Sequence, residues 1–340
     1  METKTLVDEV LAGSHQAVAR LISLIEDGHA EGQSALRALH GRTGRGYTVG
    51  ITGPPGAGKS TLADVLIRQW RDQGRRVAVI AIDPTSPFTG GAILGDRIRM
   101  QDHASDPGVF IRSMATRGSL GGLAPATTDV VTLLDAIGYD LILIETVGTG
   151  QAEIDVVGAA DTVVIVLVSG LGDTVQTIKA GIMEIGDIFA VNKADRGDAD
   201  RTVAEVKMML GLNPHPGAWR PAVITCVATS GEGVAELAAA IAEHRRFQEE
   251  HALLEDRRRR RRRAEILRLV ELRARDRALD IVAHSGRLDA LADLVYQGAM
   301  DPYTAADQIL GTSSQSSRSR AQFDSGVAHG DREDREDRED

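Results

Sequence analysis

The stretch Gly53-Pro54-Pro55-Gly56-Ala57-Gly58-Lys59-Ser60-Thr61 constrains this chain more than any other. It follows the pattern G-x-x-x-x-G-K-[ST], which works only where a buried strand turns directly into a helix. Tyr47 to Thr52 supplies a short strand before it, and Leu62, Val65, Leu66 and Trp70 recur at helical spacing after it. Glycines let the backbone wrap an anion with its N–H groups turned inward, and a helix N-terminus adds positive potential. Lys59 would reach the β- and γ-phosphates, and the Ser60 hydroxyl would hold magnesium. The bland alternative is a Gly-rich strand–helix turn that binds nothing, and the correct flanks on both sides weigh against it.

The rest of the chain repeats that alternation. Strand candidates are Val77 to Ile82, Val109 to Ser113, Leu141 to Glu145, Thr162 to Val168, Ile188 to Asn192 and Ala222 to Val227. Most are near-continuous Val/Ile/Leu runs, as expected of a parallel sheet covered on both faces. The predicted fold is therefore α/β: a P-loop NTPase with a doubly wound, mostly parallel sheet. Helices precede it, with Ser14 as N-cap for His15 to Glu26 and a second helix over Gln33 to Leu39. Helical patterns also follow it, over Leu237 to Arg246, Glu250 to Ala283 and Pro302 to Leu310. This divides the chain into a helical segment (1–45), the nucleotide domain (46–246), a helical extension (247–310) and a tail (311–340). The tail ends in repeated Asp-Arg-Glu, has little apolar content, and is expected to be disordered.

Composition narrows the partners. Aromatic residues are only 3% of the chain, so the core must be aliphatic. A net charge of −10 argues against general nucleic-acid affinity. Cys226 is the single cysteine, which excludes an internal disulfide framework and a multi-thiolate metal site. The N-terminus lacks the apolar region of a signal peptide, and no apolar run is long enough to span a bilayer. The expectation is a soluble, cytoplasmic protein with no membrane or nucleic-acid partner.

Three more segments carry chemistry. Asn192-Lys193-Ala194-Asp195 follows a strand and matches N-K-x-D, a guanine-reading element. Asp195 would accept two hydrogen bonds from the guanine ring N–H and amino group, a pair that adenine cannot offer. Asn192 would brace the loop, and the Lys193 stem would cover the base. Glu145-Thr146-Val147-Gly148 ends another strand. There Gly148 would present its N–H to the γ-phosphate, and Glu145 would stabilise magnesium directly or through water. Thr149 stands where a water-orienting glutamine is usual, so slow intrinsic hydrolysis is expected. Asp83, at a strand end, and Asp96 would complete an oxygen-rich magnesium site with Ser60 and Glu145.

Taken together, GPPGAGKST (53–61), AIDPTSPFTGGAILGDRIRM (81–100), GSLGGLA (118–124), ETVGTGQAE (145–153) and NKAD (192–195) resemble one family. It is that of the methylmalonyl-CoA mutase-associated GTPases, chaperones of adenosylcobalamin-dependent acyl-CoA mutases. The resemblance implies a GTP hydrolase with magnesium as cofactor, GTP as substrate and GDP as product, and no cobalamin held directly. It marks Asp83 to Met100 and Glu145 to Glu153 as switch loops. It assigns Gly170 to Lys179 as a third, with Asp173, Gln176 and Lys179 tied to mutase-stimulated hydrolysis; Lys59 and Glu145 join them as catalytic candidates. It also implies a homodimer built by the C-terminal helices, with Ile266, Leu267, Val270 and Leu272 packing across subunits. The family's guanine-oxygen loop usually reads Ser-Ala-x, whereas this chain has Val227-Ala228-Thr229. A backbone N–H from Val227 would still meet the base oxygen.

Arg257 to Arg263 forms an uninterrupted basic block. It reads best as a solvated helix face paired with Glu249, Glu250, Glu255, Asp256 and Glu265, and less well as a nucleic-acid patch. Two other functions share parts of this pattern. A metallochaperone GTPase for nickel enzymes would need a His- or Cys-rich site, which nine scattered histidines and one cysteine do not supply. A protein kinase acting on transport binding proteins would need a base placed for a hydroxyl acceptor.

Overall fold

The computed structural model describes residues 2–83, 103, 105–115, 125–146, 156, 158–169, 184–212 and 218–311. Asp96, Gly148, Asp173, Gln176, Lys179 and the tail beyond Gly311 lie outside the described residues. The chain divides into two compact units, Met1–Arg261 and Arg262–Asp340.

The first unit is built on one seven-stranded sheet: β1 (Tyr47–Thr52), β2 (Val77–Asp83), β3 (Val109–Ala115), β4 (Leu141–Thr146), β5 (Thr162–Val168), β6 (Ile188–Asn192) and β7 (Ala222–Thr225). The spatial order is β3-β2-β4-β1-β5-β6-β7, and every pairing is parallel. All seven predicted strands are present. Their C-terminal ends line one edge, where open parallel sheets hold their ligands.

Helices cover both faces. They are α1 (Glu2–Leu11), α2 (His15–Glu26), α3 (Ala30–Leu39), α4 (Lys59–Asp72), α5 (Pro125–Ala136), α6 (Ala199–Gly211) and α7 (Val234–Glu250). The Ser14 side chain accepts the Ala17 N–H at 3.2 Å and caps α2 as expected. Strand β4 shows why the fold needs two layers. Leu141 and Leu143 join the core under α4 and α7, while Ile142 and Ile144 join the core under α1, α2 and α5. On β1, Tyr47, Val49 and Ile51 take the first of these faces. The other face is small because Val156 and Ala160 press on it; a Cβ at Gly50 would sit 2.6 Å from Val156 Cγ2.

Three further helices follow: α8 (Leu253–Ser285), α9 (Leu288–Tyr296) and α10 (Pro302–Leu310). The predicted helix Glu250 to Ala283 is corrected at its start. Glu250 belongs to α7, and Ala252, with φ 56°, breaks the chain before α8 begins. No glycine or proline marks that break, so pattern reading runs across it. No described helix is long and apolar enough to cross a membrane.

Candidate functional site

The loop from Gly53 to Gly58 leaves β1 at the ligand edge and is shaped by three glycines with positive φ: Gly53, Gly56 and Gly58. Gly53 is the tightest, since a Cβ there would lie 2.2 Å from the Val166 carbonyl oxygen. Only glycine allows the loop to cross β5 that closely. Lys59, buried at the first turn of α4, points its Nζ back over the loop to the Gly53 and Pro54 carbonyls at 2.8 and 3.0 Å. The side chain is thereby held at the mouth of the cradle, where a phosphate would compete for it.

Ser60 follows inside the same turn. Its Oγ donates to Glu145 Oε1 at 2.5 Å, and both residues are buried. Glu145 arrives there because β4 runs between β1 and β2, pairing it with Ile51 and Ala81. Beside it, Thr146 Oγ1 donates to Thr52 Oγ1 at 2.9 Å and locks the ends of the two strands together. The sequence predicted Ser60 and Glu145 as magnesium ligands, and the fold brings them together. An all-oxygen pair beside the Lys59 ammonium fits a hard, oxygen-seeking cation such as magnesium. Asp83 ends β2 on the same edge of the sheet.

The third element is the turn after β6. Asn192, 2% exposed, donates from Nδ2 to the Ala57 carbonyl at 2.8 Å and accepts the Ala228 N–H on Oδ1 at 3.0 Å. One amide therefore joins the phosphate loop, the N-K-x-D turn and the loop after β7. Gly58 is held close to it, since a Cβ there would lie 2.4 Å from Asn192 Nδ2. Lys193 takes the left-handed conformation, φ 60°, and its Nζ reaches the Gly56 carbonyl at 2.7 Å. A non-glycine residue held there is strained, and strain of this kind gathers at ligand sites. Ser169 at the end of β5 braces the turn by donating its Oγ to the Lys193 carbonyl at 2.5 Å. Asp195 sits exposed on the next short turn. The sequence singled out neither the Thr52–Thr146 pair nor Ser169, because nothing in local spacing marks contacts between strands.

The loop after β7 departs from expectation. The Val227 N–H donates to the Glu232 carbonyl at 2.9 Å, so it is not free to meet a base oxygen. Ala228 is committed to Asn192. Thr229 is exposed, and its N–H makes no hydrogen bond among the described residues. Of the three residues assigned to this loop, Thr229 presents the available donor. Just before it, Cys226 is buried, and burial, with a smaller contribution from Glu236, pushes its thiol up to about 12. It is an inert packing residue.

The arginine block also departs from expectation. Arg259 pairs with Glu255 and Asp256, and Arg262 with Glu265, at the anticipated helical spacing. Arg257, Arg258 and Arg261 instead turn inward, to Asp187 and Asp161. A helix carries cations around its whole circumference, so a seven-residue run cannot stay on one solvated face.

The model of the methylmalonyl-CoA mutase-associated GTPase MeaB family matches residues 18–282. A Pyrococcus abyssi protein named as a GTPase is 52% identical over 308 residues, covering 90% of this chain and 95% of its own. The mouse mitochondrial methylmalonic aciduria type A homolog is 33% identical, covering 88% of this chain and 77% of its own. Among solved structures, one titled LAO/AO transport system kinase superposes with a TM-score of 0.66 at 25% identity, covering 91% of this chain and 97% of that one.

Proposed function

The chain belongs to the methylmalonyl-CoA mutase-associated GTPase family, and from that premise we propose that it is a magnesium-dependent GTP hydrolase serving an adenosylcobalamin-dependent acyl-CoA mutase as chaperone. The observation that carries the nucleotide part is Asn192, which ties the phosphate cradle to the base-reading loops through two buried hydrogen bonds. A guanine base clasped by Asp195 and the loop at Thr229 thus places its triphosphate over Gly53 to Ser60. Lys59 leaves the Gly53 and Pro54 carbonyls to hold the β- and γ-phosphates. Ser60 and Glu145 hold magnesium, with Asp83 and Asp96 from the preceding switch segment. Bound there by Ser60 and Glu145, magnesium would supply positive charge to offset the charge that develops on the phosphate oxygens.

The mutase role rests on the family's name and on the mouse relative's. On this reading Gly148 senses the γ-phosphate, and Asp173, Gln176 and Lys179 respond to the mutase. Hydrolysis is slow in the isolated protein because Thr149 stands where a water-orienting glutamine is usual. Exposed Ile266, Leu267, Val270 and Leu272 on α8 are apolar surface that a second copy would cover, in keeping with a homodimer in the cytoplasm.

The test is turnover. Purified protein should bind GTP in preference to ATP and hydrolyse it slowly with magnesium. An acyl-CoA mutase should raise that rate, and Lys179→Ala should remove most of the rise. No stimulation by any such mutase would end the chaperone reading while leaving the hydrolase. A kinase acting on transport binding proteins is the rival suggested by the name of the superposed structure. Transfer of label from GTP to a binding protein would favour it.

A further inference from the structure

Asp161 precedes β5, at the end of the sheet away from the nucleotide loops, and is 1% exposed. A bare carboxylate in such a place would be protonated or expelled. Here four donors saturate it. Arg258 gives Nε to Oδ1 at 3.2 Å and Nη2 to Oδ2 at 2.7 Å; Arg261 gives Nη2 to Oδ1 at 2.9 Å; and the Thr48 N–H reaches Oδ2 at 3.0 Å. Burial acts to raise its pKa, but the Arg258 hydrogen bonds and the charges of Arg261 and Arg258 outweigh that and hold it below the usual carboxylate range.

The same guanidiniums also gather backbone carbonyls. Arg258 bonds Gly44 and Gly46, at 3.0 and 2.7 Å, in the entry to β1. Arg261 bonds Ala159 and Ala160, at 2.8 and 3.0 Å. Those two residues end the short helical stretch through Val156 and Gly158, which follows in sequence the strand end carrying Glu145 and Thr146. That stretch presses on β1 at Gly50, with Val156 filling the space a side chain there would need. Arg261 therefore grips the C-terminal end of an element whose other face bears on the strand that launches the phosphate loop. Cations at a helix C-terminus are doubly favoured, by its unpaired carbonyls and by its dipole.

We infer that the Asp161–Arg258–Arg261 clamp is a built-in relay, through which a change at the nucleotide shifts the segment ending at Ala160 and is transmitted to the first turns of α8. The coupling is discrete rather than elastic. A buried carboxylate with two guanidiniums cannot be half released without leaving a charge unpaired in the interior. Arg259, one residue away, faces solvent and among the described residues pairs with Glu255 and Asp256, so it takes no part.

The relay rests on the nucleotide reading above, and the experiment separates the two. Binding of a fluorescent GTP analogue is measured first, on the full chain with magnesium; if the wild type does not bind, the nucleotide reading fails. Amide exchange is then compared between GDP and a non-hydrolysable GTP analogue. The wild type should show nucleotide-dependent protection both at 158–161 and at 253–261. Arg261→Lys keeps the charge but loses the fork. It should retain GTP binding and the difference at 158–161, yet lose the difference at 253–261. Arg259→Ala should behave as wild type. The relay is overturned if the wild type shows no nucleotide-dependent difference at 253–261, or if Arg261→Lys keeps it in full. Asp161→Glu replaces Arg261→Lys should the latter fail to fold, and the wild-type comparison needs no variant.

Discussion

Replacing Asn192 by alanine tests the central geometric claim of the site. The side chain is 2% exposed and serves two partners, the Ala57 carbonyl at 2.8 Å and the Ala228 N–H at 3.0 Å. Both belong to buried residues, so water cannot readily replace the lost amide. Each buried polar group left without a partner costs about 1–3 kcal/mol, so the pair amounts to about 2–6 kcal/mol. A mid-range loss of about 4 kcal/mol lowers the folding equilibrium constant roughly a thousandfold. Urea unfolding followed by the fluorescence of Trp70 and Trp219 reads this directly, as a lower midpoint with an unchanged slope. GTP affinity should fall as well, because the cradle and the base-reading loops lose the tie that sets their spacing. A stability change under about 0.5 kcal/mol, the scale of an ordinary surface substitution, together with unaltered GTP affinity, would refute the bridge.

Two further outcomes follow from the same contacts. Gly53→Ala places a methyl group 2.2 Å from the Val166 carbonyl oxygen at a backbone φ of 140°. Strain of about 1–3 kcal/mol, taken up by the phosphate loop, should weaken GTP binding roughly 5- to 150-fold, with titration of a fluorescent GTP analogue as the measurement. His244 gives a pH dependence. It is 2% exposed, with Nδ1 2.8 Å from Thr162 Oγ1 and Nε2 3.5 Å from Asp187 Oδ1. Burial, only partly opposed by Asp187, holds its pKa below 6.5. The unfolded chain therefore takes up the proton first as pH falls. The stabilisation is complete above the unfolded value and is lost below it, by at most about 1.4 kcal/mol per pH unit. Urea midpoints at about pH 7.5 and about pH 5.5 should diverge less in His244→Gln than in the wild type. Equal divergence would exclude His244 as the source.

Local signals carried much of the fold. Most strands were legible because a parallel sheet buried on both faces demands near-continuous aliphatic runs, although the edge strand β7 is only half-buried. The Ser14 cap on α2 was legible for a similar reason, since its partner Ala17 is three residues away. Helices α1, α5, α6 and α9 fell in stretches read as helical without bounds. On α1, Leu6, Val7 and Val10 pack into the core, but no capping residue announces the start. The break at Ala252 was invisible because a non-glycine residue holds the left-handed conformation there.

The cradle at Gly53 to Thr61, the N-K-x-D turn and the alternating architecture were all decided by residues a few positions apart, whose chemistry depends on little beyond their own neighbours. Contacts across the chain belong to tertiary structure alone. Asn192 meets Ala57 across 135 residues, and Arg258 meets Asp161 across 97. The Val227 N–H is taken up by Glu232, and an arginine block that reads as surface turns three of its side chains inward. Each of these depends on which donors and acceptors the fold brings within reach of one another. That is settled by how strands and helices stack in space, a quantity that spacing along one chain does not contain.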